Sequence, residues 1–135
     1  MWSVAWTDTT YAPGQAVLPV RILAPGARLV IREGQGQSSA EEVYLGSGVN
    51  IPWDGGVTGG SLTLFDAYGS GIDFVRWGGS TQVPPAGLGW TETSAAPSPP
   101  AGQTLGRSPD GTDSDDASDL CLQAPSLGQV NTACQ

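Results

Sequence analysis

The sequence has no histidine and no lysine, and its five basic residues are all arginine. Without imidazole there is no Ser-His-Asp or Cys-His catalysis and no histidine metal ligand, and without lysine there is no Schiff-base chemistry. Thirteen Asp and Glu residues bring the formal net charge to −8. With no basic cluster to offset it, this charge argues against binding to nucleic acid and to anionic membrane surfaces.

Long apolar segments are also lacking. No stretch approaches the roughly 18 apolar residues that span a bilayer, so no membrane insertion is expected, and the first residues lack the features of an export signal, which is expected to lie outside this chain. Helical periodicity is missing because 20 glycines and 11 prolines interrupt almost every 11-residue window. The sequence therefore predicts a single all-β domain over residues 1–135 with almost no α-helix.

Runs of β-branched and apolar residues predict the strands, at residues 17–23, 28–32, 42–45, 61–66 and 72–77. Pro25 and Gly26 fit the central positions of a type II turn between the first two runs. The last two runs predict a β-hairpin with a glycine-containing turn. Residues 78–104 follow as a long Gly/Pro/Ser-rich loop, and residues 112–135 as an acidic tail that contains both cysteines.

Trp90 is the only aromatic side chain of the long loop. The favoured interpretation is an anchor that closes one end of a β-sandwich core, and the alternative is an aromatic on a binding surface. The five tryptophans lack the even spacing of a sugar-stacking face, which argues against a carbohydrate platform; they are Trp2, Trp6, Trp53, Trp77 and Trp90.

Cys121 and Cys134 are the only cysteines, and a disulfide between them is favoured over two free thiols. The bridge would close a loop of about 14 residues, stabilise the tail by roughly 3 kcal/mol, and indicate an oxidising compartment.

Several segments together resemble one known family. They are residues 103–113 and 125–131 near the C-terminus, the Pro-Gly turn and strand at 26–31, and the hairpin at 62–69 and 72–78. In this order they resemble the lamin tail domain, found at the C-terminus of nuclear lamins and in many secreted bacterial proteins. The resemblance covers residues 2–131. It implies an immunoglobulin-like β-sandwich on the surface of, or outside, a bacterial cell.

The resemblance departs from the family at the N-terminus. Family members begin with two strands before a Gly-Trp turn, whereas here residues 1–4 correspond to that turn. We therefore expect an unpaired sheet edge and an uncovered apolar face, a template for pairing with a protein partner or a second copy. A fragment or a misassigned start is favoured over a chain completed by a partner strand.

The C-terminal third concentrates carboxylates, at Asp110, Asp113, Asp115, Asp116 and Asp119. Oxygen-rich loops of this kind hold calcium, although the spacing does not follow the EF-hand, whose sixth position needs glycine and whose twelfth needs an acidic residue. The favoured alternative is structural: Asp110-Gly111 forms a turn after Pro109, Arg107 pairs with a nearby carboxylate, and the other aspartates are solvated.

Arg107 and Asp110 are also candidate binding residues, although a hydrogen-bonded turn that fixes the last strand is favoured. Asp66 and Asp73 flank the predicted hairpin turn and are expected to be turn residues rather than a catalytic pair. The sequence thus predicts a non-catalytic protein-interaction or surface-display module, whose strand edge and Trp90 loop bind a protein. The alternative is a calcium-stabilised structural domain of a larger surface protein.

Overall fold

A computed structural model describes residues 1–7, 13–51, 59–91 and 94–135. These residues contain eight strands and a single 3-10 helix, which confirms the predicted all-β class. In chain order they are β1 Ser3–Thr7, β2 Gly14–Val17, β3 Val30–Arg32, β4 Glu42–Tyr44, β5 Gly60–Phe65, β6 Gly71–Trp77, β7 Thr104–Arg107, the 3-10 helix Ala117–Asp119 and β8 Leu120–Gln123. Trp53 lies outside the described residues.

The described strands form one larger sheet and two strand pairs. The four-stranded sheet has the order β2-β1-β5-β6, with all neighbours antiparallel. The strands β3 and β4 pair in parallel, and β7 pairs with β8 antiparallel. The four-stranded sheet therefore has two outer strands, β2 and β6.

The predicted hairpin and the predicted Pro-Gly turn are both confirmed. The β5–β6 hairpin turns at Asp66, whose Oδ1 accepts from the amides of Tyr68 and Ser70 at 2.8 Å. In the other turn, the amide of Ala27 donates to the carbonyl of Ala24 at 2.9 Å, and Gly26 has φ +79°. Only this left-handed conformation requires glycine there.

Two predictions about the first part of the chain are wrong. Residues 18–23, expected to continue a strand, lie outside any strand in the structure, since β2 ends at Val17. Pro19 has no amide hydrogen for a strand ladder, which explains why the pairing stops there. Ser3 and Val4, expected at a turn, lie instead in β1, between β2 and β5.

The apolar face of the four-stranded sheet carries the main core. Val4 and Trp6 of β1 pack with the buried Leu18 and Ile51, and partly buried side chains complete the cluster: Ala16, Ile31, Leu45, Val49, Leu62 and Leu64. Alternate residues of β1 and β5 point to this face, as the period of two along a strand requires. The face that was expected to be uncovered is thus packed against residues in and around β3 and β4.

The long loop after β6 packs back onto this strand. The buried Arg76 donates to the carbonyls of Ser94 and Gln82, and Ala96 forms a bridge with Trp77. Trp90 stacks edge to face on Phe74, with ring centroids 5.6 Å apart, and these two form a second core cluster with Ala117. The loop therefore covers the β6 side of the sheet.

Candidate functional site

The strand β2 has a free backbone edge in the described part of the chain. The amide of Leu18 donates to the carbonyl of Trp2 at 2.8 Å, so these two opposing residues form a hydrogen-bonded pair. Hydrogen bonding alternates along an antiparallel ladder. The backbone amide and carbonyl of Ala16 therefore also point to β1, whereas those of Gln15 and Val17 point away from it. No described strand pairs with β2 on that outer side.

Prolines limit this edge at both ends. Pro13 and Pro19 lie just outside β2 on either side of Gln15 and Val17. Because proline has no amide hydrogen, neither can extend the ladder as a donor, and β2 has two outward donors, the amides of Gln15 and Val17. An added strand can therefore receive hydrogen bonds only from the central pair.

Apolar side chains next to this edge are unusually exposed. Val17 is 57 % exposed, Val20 81 % and Ile22 98 %, and Met1 and Trp2 beside them are also exposed. Exposed apolar side chains are a feature of interaction sites on soluble proteins. We call residues 13–22 the β2 surface.

The β2 surface carries little charge, as do longer stretches of the chain such as residues 77–91 and 93–106. Residues 13–20 contain no charged side chain, and Arg21 is the single charge up to residue 22. Sheet edges that must stay unpaired commonly carry charged side chains, especially lysine. Here the flanking prolines limit the length of the edge, and residues 13–20 carry no charged side chain that would oppose pairing.

Arg107 is the centre of a second, polar cluster. Its guanidinium lies 2.9 Å from both carboxylate oxygens of Asp73 on β6 and 2.6 Å from Asp113, and it also donates to the carbonyl of Thr112. The expected ion pair of Arg107 with a carboxylate is confirmed. Asp73, interpreted from the sequence as a turn residue, lies instead within β6. Burial raises the pKa of the Asp73 carboxyl, with Arg107 opposing that rise.

Most of the other aspartates of the C-terminal cluster contact groups of this same chain, and Asp115 lies at a turn. Asp110 pairs with Arg28 at 2.6 Å and accepts from the amide of Asn131. Asp113 accepts from the amide of Asp115, which has a positive φ of 58°. These contacts hold the loop in place from within.

Asp116 and Asp119 accept backbone amides inside the same loop. Asp119 accepts from the amide of Ser114 at 2.6 Å and from its hydroxyl at 2.8 Å, and these bonds lower the pKa of the Asp119 carboxyl. Hydrogen bonds from Thr91 and Ser118 lower the pKa of Asp116. Among the described residues no group of three or more acidic or cysteine side chains is placed to hold a metal ion. Calcium binding stays a prediction.

The C-terminal residues are tied to β8. Cys121 of β8 and Cys134 form a disulfide, with Cα atoms 5.6 Å apart, as predicted. The amide of Gln135 then donates to the carbonyl of Leu122 at 2.9 Å, and Asn131 donates to the carbonyl of Arg107. Residues 112–135, interpreted from the sequence as a tail, thus include the strand β8. The residues that follow β8 contact β7 and β8.

A groove of about 970 Å³ lies between β6 and the start of β7. Val75, Leu105 and Leu120 contribute apolar side chains to it, and the Asp73–Arg107 pair borders it. The charged groups of this pair already bind each other, so the groove offers a ligand mainly apolar contact.

Trp90, the candidate binding aromatic, is only 8 % exposed, and its indole nitrogen donates to the carbonyl of Ser94 at 2.8 Å. This burial supports the anchor interpretation, since a ligand would have to contact its neighbours instead.

The β2 surface, in contrast, was not singled out from the sequence. The signal was available as two prolines, Pro13 and Pro19, that flank an uncharged run.

No family model, curated protein or solved structure matches the chain. In the described residues, no helix is long and apolar enough to cross a membrane.

Proposed function

We propose that this chain is a non-catalytic protein-interaction module, with an immunoglobulin-like sandwich of the lamin-tail type, that belongs to a secreted or cell-surface bacterial protein. It binds an extended strand of a protein along the β2 surface. The observation that carries this proposal is a β2 edge that no described strand covers, together with the exposed side chains of Val17, Val20 and Ile22.

Binding at this surface combines two contributions. The amides and carbonyls of Gln15 and Val17 supply main-chain hydrogen bonds to an added strand, and the neighbouring apolar side chains supply area removed from water. Since only two donors are present, hydrogen bonding fixes the register while apolar contact provides most of the affinity. Interfaces this small are typical of weak or transient complexes.

The sandwich assignment is supported by the four-stranded sheet, whose apolar face packs on residues around β3 and β4. The resemblance to lamin tail domains adds to it. The Cys121–Cys134 disulfide is compatible with an extracellular location. The non-catalytic assignment rests on the lack of histidine and lysine in the sequence.

A random peptide library displayed on phage tests the proposal. The library is panned against the immobilised chain and, in parallel, against a Val20→Ser/Ile22→Ser variant. We expect peptides with alternating apolar residues that bind the unchanged chain at least tenfold better than the variant.

The control is Tyr68→Ser, which removes a side chain that is exposed at the β5–β6 turn, with β1 between β5 and β2 in the sheet. It should retain the selected peptides. Peptides that bind all three proteins equally, or no enrichment at all, would overturn the proposed function.

A further inference from the structure

The strand pairs β3–β4 and β7–β8 border a common cavity, and we infer that this cavity binds an extended segment of another protein as an added strand. The segment pairs with the free edges of β3 and β7, and its apolar side chains enter the groove next to β6. No residue of the β2 surface lines the cavity or the groove. The site is therefore distinct from the one in the proposed function and does not depend on it.

The strand β7 has a free backbone edge in the described part of the chain. The amide of Ser108 donates to the carbonyl of Asp119 at 2.8 Å, so these residues form a hydrogen-bonded pair just beyond the β7–β8 ladder. Because hydrogen bonding alternates along the ladder, the backbone groups of Leu105 and Arg107 point away from β8. The Asn131 side chain donates to the carbonyl of Arg107, whereas the amide and carbonyl of Leu105 have no described partner.

The strand β3 also has a free edge. The amide of Val30 donates to the carbonyl of Glu41, and the carbonyl of Arg32 accepts from the amide of Leu45. These two residues of β3 thus point to β4. By alternation, the amide and carbonyl of Ile31 point to the other side, where β3 pairs with no described strand.

Both strands line a cavity of about 750 Å³. Residues 28–31 border it on the β3 side and residues 103–105 on the β7 side, and residues 125–129 after β8 also line it. Successive side chains of a strand point to opposite faces, so consecutive lining residues indicate that each strand borders the cavity with its edge. A strand in this cavity therefore finds donors and acceptors on both of its sides.

The cavity continues into the groove of about 970 Å³, since residues 103–105 line both. Asp73, Val75 and Trp77, alternate residues of β6, face this groove. Leu62, opposite Val75 on β5, lines it as well. A strand added beside β7 directs every second side chain to the same face of the sheet. The bound segment therefore needs apolar residues at alternate positions.

Charge disfavours an acidic segment. Asp73 and Arg107 are the charged residues that line the groove, and Asp113 also pairs with Arg107 at 2.6 Å. Two carboxylates and one guanidinium give this cluster a net negative charge, and the whole chain has a net charge of −8. Complementary charge speeds association and suppresses the wrong partners. We therefore expect a neutral or basic segment.

The synthetic peptide Lys-Val-Thr-Val-Thr-Val-Lys tests the site, since it has valine at alternate positions and a basic residue at each end. Amide hydrogen exchange is followed by NMR with and without the peptide. The amides of Ile31 and Leu105 should exchange readily in the chain alone and at least tenfold more slowly with saturating peptide. The amide of Gly106, which already bonds to β8, should not change.

A matched peptide with proline in place of both threonines lacks the hydrogen-bond donors along one edge. It should bind at least tenfold more weakly. A Glu-Val-Thr-Val-Thr-Val-Glu peptide keeps the alternation but reverses the charge, and it should also bind more weakly than the basic peptide.

Two variants of β6 test the groove. Val75→Phe places a larger side chain in the groove and should weaken binding of the basic peptide at least tenfold. Ile72→Phe is the matched control, because Ile72 lies on the opposite face of the same strand and is 45 % exposed. It should bind the peptide as the unchanged chain does. Hydrogen exchange without peptide shows whether both variants keep the fold.

Amides of Ile31 and Leu105 that are protected in the chain alone, or that the peptide leaves unprotected, would overturn this inference. So would equal binding of the basic and proline peptides. Protection by the peptide confined to Gln15 and Val17 would overturn it as well, but would support binding at the β2 surface. Protection of Ile31 and Leu105 without protection of those two amides would support only the site between β3 and β7, so the two failures are distinguishable.

Discussion

The guanidinium of Arg107 lies 2.9 Å from both carboxylate oxygens of Asp73, and this contact joins β7 to β6, strands of two different sheets. Arg107 is also bound by Asp113 at 2.6 Å. Its charge is thus shared between the sheet and the acidic loop. Arg107 thus adds a polar connection between the C-terminal third of the chain and the four-stranded sheet to the apolar packing of Ala117 near Phe74.

Replacing Arg107 with methionine should lower the free energy of unfolding by about 2–3 kcal/mol, because charged hydrogen bonds are lost and Asp73 keeps its charge without a partner. Urea unfolding measures this change. Arg28→Met is the matched control, since the Arg28–Asp110 pair is more exposed and should contribute about 0–1 kcal/mol. Equal losses in the two variants would mean that Arg107 has no special role.

Stability should fall in acid through the acidic loop. Hydrogen bonds from Ser114 lower the pKa of Asp119, so the folded chain binds its proton less readily than the unfolded chain does. The resulting stability is present above the unfolded pKa of about 4 and is lost as pH falls through the lower folded value. Asp119→Asn should reduce stability at neutral pH and flatten this acid dependence.

Urea unfolding between pH 2 and 7 measures the effect. Glu41→Gln serves as the control, because the Glu41 side chain has no hydrogen bond or ion pair among the described residues. It should leave the acid dependence unchanged. An Asp119→Asn profile parallel to that of the unchanged chain would show that these hydrogen bonds do not contribute.

The disulfide should stabilise the fold by about 3 kcal/mol, the value for a loop of this length. Cys121→Ser/Cys134→Ser should lose that amount in urea unfolding, and reductant should destabilise the unchanged chain to the same extent. The variant is its own control, since reductant should have no effect on it. A loss under about 1 kcal/mol would mean that the contacts of Asn131 and Gln135 suffice to hold the tail.

Trp90 should behave as a core residue. Trp90→Ala should cost about 3–5 kcal/mol of stability, because it leaves a cavity beside Phe74. Tyr68→Ala, at a position 94 % exposed, should change stability by under about 0.5 kcal/mol. Thermal or urea unfolding separates the two. A Trp90→Ala variant as stable as the unchanged chain would contradict the anchor interpretation.

Calcium is tested by thermal unfolding in millimolar calcium and in chelator. We expect the same melting temperature within about 1 °C, because Asp110, Asp116 and Asp119 are each engaged by protein groups. A folded-state calcium site of millimolar or tighter affinity would instead raise the melting temperature with concentration. Such a rise would favour the calcium-stabilised structural domain.

Local sequence patterns were sufficient to predict the features that neighbouring residues determine. The β5–β6 hairpin follows from period-two alternation on both sides of a turn. The turn at Pro25-Gly26 follows from the backbone angles that proline and glycine favour. The all-β class follows from glycine and proline, which interrupt almost every helical window. These features depend on short-range sterics and hydrogen bonding, so neighbouring residues determine them.

Pairing between distant segments was decided only by the tertiary structure. Nothing near Asp73 in the sequence indicates Arg107 as its partner, 34 residues away. Pro19 accounts for the end of the β2 ladder, but it does not indicate where the residues after it lie. The placement of β1 between β2 and β5 likewise depends on which apolar faces bury each other. Composition and local pattern thus determined which strands are possible, whereas packing of remote side chains decided which edges are covered, and it left that of β2 without a neighbour among the described strands.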